Sequence, residues 1–70
     1  MNMDLRVLMM PMKNTLVLFK NGNYFGKVDS GEGEPEMLIS GYGEIALTFL
    51  ELEIILDNWN QLQEMIRTQV

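Results

Sequence analysis

The apolar positions of this chain follow two different periods, and the change falls near residue 48. Before it, apolar residues alternate with polar ones or run in short blocks rich in β-branched, aromatic and methionine side chains, which is how strands read. After it, Leu52, Ile55, Leu56, Trp59, Leu62 and Ile66 recur at steps of three and four, one face of an amphipathic helix. Thr48 and Glu51 have capping-box spacing: the Thr hydroxyl accepts a helical amide while the Glu carboxylate reaches back to the Thr amide. The pattern predicts a helix over 49–68 that lays its stripe on a sheet, with Trp59 as the largest anchor.

Asn21-Gly22 is the sharpest local signal. The pair tolerates the two positive φ angles of a type I′ turn, whose twist suits two antiparallel strands, here residues 15–20 and 23–29. A two-residue loop sets Lys20 opposite Asn23, Phe19 opposite Tyr24 and Leu18 opposite Phe25. Alternation then puts Val17, Phe19 and Tyr24 on one face and Leu16, Leu18 and Phe25 on the other. Both faces are apolar near the turn. The hairpin is therefore central and covered on both sides, or it shows an apolar face to a partner.

Residues 4–10 read as an additional strand, and Pro11 turns the chain over 11–14 because proline cannot pair in a ladder. Residues 30–35 are a polar loop, 36–40 a short strand, 41–43 a Gly-Tyr-Gly turn and 44–47 one more strand. The fold predicted is α+β: a small antiparallel sheet of four or five short strands with one C-terminal helix packed on it, residues 1–70 making a single domain.

Composition narrows the chemistry. With 70 residues the chain buries only about 60% of its unfolded surface, so partners or a second copy are natural sources of further stability. It has no Cys and no His, which removes disulfides, zinc sites of those ligands and every nucleophile or base of those types. Ser30 and Ser40 have no His to activate them, and Glu53 and Asp57, four apart, repel each other rather than form a catalytic pair. The expectation is no enzyme. The carboxylates of Asp29, Glu32, Glu34 and Glu36 do not have EF-hand spacing, and Gly31 and Gly33 lack the Lys-Ser/Thr of a phosphate loop, so neither a metal nor any other cofactor is expected. Arg6 precedes only the short apolar run 7–10, and no stretch approaches the roughly 18 apolar residues of a membrane span. That reading places the protein in the cytoplasm, off any membrane.

Charge position says more than the formal net charge of −5. Residues 1–27 hold Arg6, Lys13, Lys20 and Lys27 against Asp4 alone. Residues 28–66 hold Asp29, Glu32, Glu34, Glu36, Glu44, Glu51, Glu53, Asp57 and Glu64 and no Lys or Arg. One reading is a solvated face that keeps a small apolar domain soluble. The other is an acidic docking face of Asp29, Glu32, Glu34, Glu36, Glu53, Asp57 and Glu64 that meets a protein partner with a basic surface, even one that normally holds a phosphate backbone. Phe19, Tyr24 and Phe25 beside Lys20 and Lys27 have the make-up of a base-stacking platform, but the acidic remainder argues against direct nucleic-acid binding.

A second apolar row, Leu50, Ile54 and Met65, lies off the main helix stripe. With Phe19 and Tyr24 it is the candidate apolar contact for a partner or a homodimer. The function expected is a stoichiometric inhibitor or modulator that occludes a basic surface of a larger protein. The alternative is a structural or regulatory homo-oligomer. In composition alone the chain resembles the small acidic inhibitors that phages deploy against host defence or host enzymes. That resemblance covers no motif, carries no residues over, and implies the host cytoplasm as the site of action.

Overall fold

Asn21 and Gly22 both take positive φ, 53° and 79°, as the tight hairpin turn requires. In the computed structural model, which describes residues 4–30, 35–39 and 47–68, this turn joins β2 (Thr15–Lys20) to β3 (Asn23–Asp29). β1 (Leu5–Met10) comes before them and β4 (Glu36–Ile39) after. The four strands pair antiparallel in the order β1-β2-β3-β4, and one helix, α1 (Phe49–Thr68), follows. The α+β fold read from the sequence is the fold observed. The further strand expected over 44–47 lies outside the described residues except for Leu47, which is in no strand. The turn expected at 41–43 lies outside them too.

Pro11 starts a single 3-10 turn, Pro11–Lys13, between β1 and β2. Asn14 closes it in the left-handed region, φ 49°, and its N–H reaches the Pro11 carbonyl at 3.2 Å. Asn is one of the few non-glycine residues that accept this conformation.

Directly opposed residues share a sheet face. The pairs Val7–Leu18, Met9–Leu16, Leu16–Val28 and Val28–Met37 therefore define one face. The helix lies on it, and Leu16, Leu18, Phe25 and Val28 form the core with Ile55, Trp59 and Leu62. Leu5, Val7, Met9, Leu47 and Ile66 pack around them.

One register expectation is corrected. Lys20–Asn23 and Phe19–Tyr24 pair as predicted, but Leu18 stands opposite Gly26, because the register shifts between Leu18 and Phe19. The bulge gives β3 an extra residue, Phe25, and sends its ring into the core while Tyr24 stays on the far side. Gly26 then leaves room for β4: a Cβ there would lie 2.5 Å from the Leu38 carbonyl oxygen and 3.2 Å from Ile39 Cδ1.

The helix begins with the predicted capping box. The Glu51 N–H donates to Thr48 Oγ1 at 3.1 Å, and the Thr48 N–H donates to Glu51 Oε1 at 3.0 Å. The buried stripe is Glu51, Ile55, Trp59 and Leu62, rather than one running through Leu52 and Leu56. Those two leucines are exposed, Leu56 at 57%. The helix is turned so that Glu51 faces Lys20, and this rotation carries positions 52 and 56 to the rim. At the other end, Gln63 Nε2 donates to Asn14 Oδ1 at 2.6 Å. Asn14 to Lys20 is about 20 Å of strand and Glu51 to Gln63 about 18 Å of helix, so α1, pinned at both ends, runs opposite in direction to β2 and parallel to β1, the strand its backbone approaches most closely.

Candidate functional site

The other sheet face has no cover among the described residues. By register it carries Arg6 and Leu8 of β1, Val17 and Phe19 of β2, Tyr24, Lys27 and Asp29 of β3, and Glu36 and Leu38 of β4. Leu8, Tyr24 and Leu38 are each more than two-fifths exposed. The Phe19 and Tyr24 rings meet edge to face, centroids 6.2 Å apart at 72°, a favoured arrangement that holds both rings in place. An open depression of about 420 Å³ lined by Arg6, Val7, Leu8 and Phe19 runs along β1. Of the two alternatives for the hairpin, an apolar face left showing is the one found among the described residues.

Charge on this face is arranged in pairs. Arg6 Nε lies 3.6 Å from Asp4 Oδ1, and Lys27 Nζ lies 3.3 Å from Asp29 Oδ2. Asp29 is directly opposite Glu36, two acids side by side at the end of the sheet that leads into the 30–35 loop. Glu32 and Glu34, expected in a loop there, lie outside the described residues.

The remaining acids of the expected docking face are elsewhere. Glu53, Asp57 and Glu64 are exposed on α1, within about 40° of one another and opposite the buried stripe at 3.6 residues per turn. They look away from the sheet, while Asp29 and Glu36 lie on the side of the sheet that the helix does not touch. The fold thus splits the acids into two groups. The apolar candidates split as well: Phe19 and Tyr24 are together on the open face, whereas Leu50, Ile54 and Met65 share one flank of α1, Ile54 half-buried and the other two exposed.

Glu51 is the one buried charge among the described residues, 2% exposed. Its hydrogen bond from the Thr48 backbone N–H holds the carboxyl below the usual range, helped by the Lys20 ammonium and the Thr48 hydroxyl and opposed by burial. Lys20 Nζ sits 3.1 Å from Glu51 Oε1. This carboxylate is enclosed at the helix start and serves the fold.

Leu8 and Leu38 were missed as site residues. The signal for them is alternation: Arg6-Leu8 and Glu36-Leu38 follow the same two-residue period as Phe19, but the facing side of each strand depends on its register to the hairpin. Among the described residues, no group of three or more His, Cys, Asp or Glu could hold a metal ion, and no helix is long and apolar enough to cross a membrane. Comparison with protein-family models, curated proteins and solved structures finds no match to this chain.

Proposed function

We propose that this chain is a non-catalytic protein-binding module that docks through its open sheet face. It acts as a stoichiometric inhibitor or modulator by occluding a basic surface on a larger protein. The observation that supports this most is a four-stranded sheet with its helix on one face only, leaving Leu8, Phe19, Tyr24 and Leu38 together on the other. Phe19 and Tyr24, at the turn end of this face, are rigid aromatic anchors of the kind that supply affinity. Glu36 at the margin, opposite the Asp29 that pairs with Lys27, and with Glu32 and Glu34 just before it in sequence, favours a partner whose rim is basic and speeds encounter with it. The helix acids keep the opposite side of the molecule solvated. Direct nucleic-acid binding fits the face poorly, because Arg6 and Lys27 already have carboxylate partners. The compartment of this reading is the cytoplasm.

The test starts from the partner retained by the protein in an extract of its native source. Its affinity is then measured by calorimetry for Tyr24→Lys, Leu38→Lys and Glu36→Lys, with Glu53→Lys and Asp57→Lys as controls on the helix. Loss confined to the sheet variants, with the partner's activity titrating to zero or to a plateau at one equivalent, supports the reading. Loss confined to the helix variants overturns it.

A further inference from the structure

We infer that the chain also pairs with a second copy of itself along the free edge of β1, and that the uncharged flank of α1 completes that interface. β1 is the end strand of the sheet, and its outer edge has no partner among the described residues. The Asp4 carbonyl accepts from the Asn21 N–H on the β2 side. Backbone groups alternate sides along a strand, so Leu5, Val7 and Met9 direct their N–H and C=O to the free edge. These same residues line the core face.

Antiparallel self-pairing about Val7 is two-fold by construction, and it satisfies those outward groups. It sets Leu5 against Met9 of the copy and Val7 against Val7. On the open face it sets Arg6 against Leu8, so no like charges meet. Residues equidistant from Val7 share a face, which keeps both helices on the same side of the joined sheet.

The helix flank that meets there is free of charge. Ile54, Asn58, Gln61, Met65 and Thr68 follow steps of four, three, four and three, the spacing of a helix–helix seam. Gln63, on the opposite flank, bonds Asn14, which in turn donates to Ser30 Oγ at 3.0 Å. That flank therefore turns inward over β2 and β3, and the Ile54–Met65 flank looks out past β1. In a chain of net charge −5, a strip without acids is the part of the helix that tolerates an identical neighbour. The other end strand is a weaker candidate: β4 has four residues, begins with Glu36 and lies beside that acid's partner Asp29.

Sedimentation equilibrium of the full chain from micromolar to millimolar concentration decides the matter. The expected result is a mass of twice 8.1 kDa at the upper end. Val7→Pro, which removes an N–H that β2 does not use, and Met65→Lys, on the seam, each return it to one chain with helical circular dichroism intact. Should Val7→Pro lose its helix signal, Met65→Lys carries the decision. A single-chain mass throughout overturns the inference, as does a dimer that survives Met65→Lys. A dimer broken only by Tyr24→Lys and Leu38→Lys places the copy on the open sheet face and also overturns it. Those two variants lose the partner of the previous section while keeping the dimer expected here, so the two readings fail separately.

Discussion

Lys20, the last residue of β2, places its ammonium 3.1 Å from the carboxylate of Glu51, the third residue of α1. One side chain thereby ties the hairpin turn to the helix start, across 31 residues of sequence. Glu51 also closes the capping box, so a single carboxylate serves both the helix start and its contact with the sheet. Losing Lys20 leaves a buried acceptor short of a donor. Lys20→Met should lower stability by about 1–3 kcal/mol, read from the urea midpoint.

The same carboxylate makes stability fall in acid. Its folded pKa is lowered, so the unfolded chain takes up the proton first. The contribution is complete above the unfolded value of about 4.3 and is lost as pH drops through the lowered folded value. Urea midpoints from pH 7 to pH 3 should show a steeper acid decline for the native chain than for Glu51→Gln. Parallel declines would remove Glu51 from the account.

The observed helix rotation separates two leucines of the apparent stripe. Leu62 has no exposed surface whereas Leu56 is mostly exposed. Leu62→Ala should cost about 2–5 kcal/mol by emptying the core, while Leu56→Ala should stay within about 0.5 kcal/mol. Thermal unfolding followed by Trp59 fluorescence compares them directly.

Gly26 holds β4 in place by having no side chain. A methyl group there meets the Leu38 carbonyl at 2.5 Å, a backbone atom that cannot swing aside. Gly26→Ala should cost about 1–3 kcal/mol. Hydrogen exchange should show protection lost over β4 (Glu36–Ile39) before β1.

Asp29 opposite Glu36 is an unfavourable cross-strand pair. Glu36→Lys converts it to an attractive one and should raise stability by about 0.2–1 kcal/mol. A gain in thermal midpoint together with weaker partner binding would show that the second acid is kept for recognition at the expense of the fold.

The local elements were legible in the sequence because each rests on short-range chemistry. Asn21-Gly22 specifies its turn through backbone sterics, Thr48 and Glu51 specify the helix start through hydrogen bonds three residues apart, and Pro11 ends β1. The helix limits of 49 and 68 and the faces of Val17, Phe19 and Tyr24 followed from these and from periodicity.

The tertiary structure decided what periodicity leaves open. A stripe of six apolar residues fixes a helix face only to within a turn of its neighbours. In the fold Ile55, Trp59 and Leu62 meet the sheet, Glu51 meets Lys20, and Leu52 and Leu56 are at the rim. The bulge at Phe25 places its ring in the core with Leu18 and puts Gly26 where β4 closes over it, relations between residues that hairpin periodicity does not carry. The candidate site was half legible. Phe19 and Tyr24 were visible as an apolar face, but whether the helix covers that face depends on where it lands, and it lands on the other side. Charge showed the same limit: the run of acids from Asp29 to Glu64 looks continuous along the chain. The sheet stands between its two halves, because a strand pair and a helix send side chains in directions that only their packing relates.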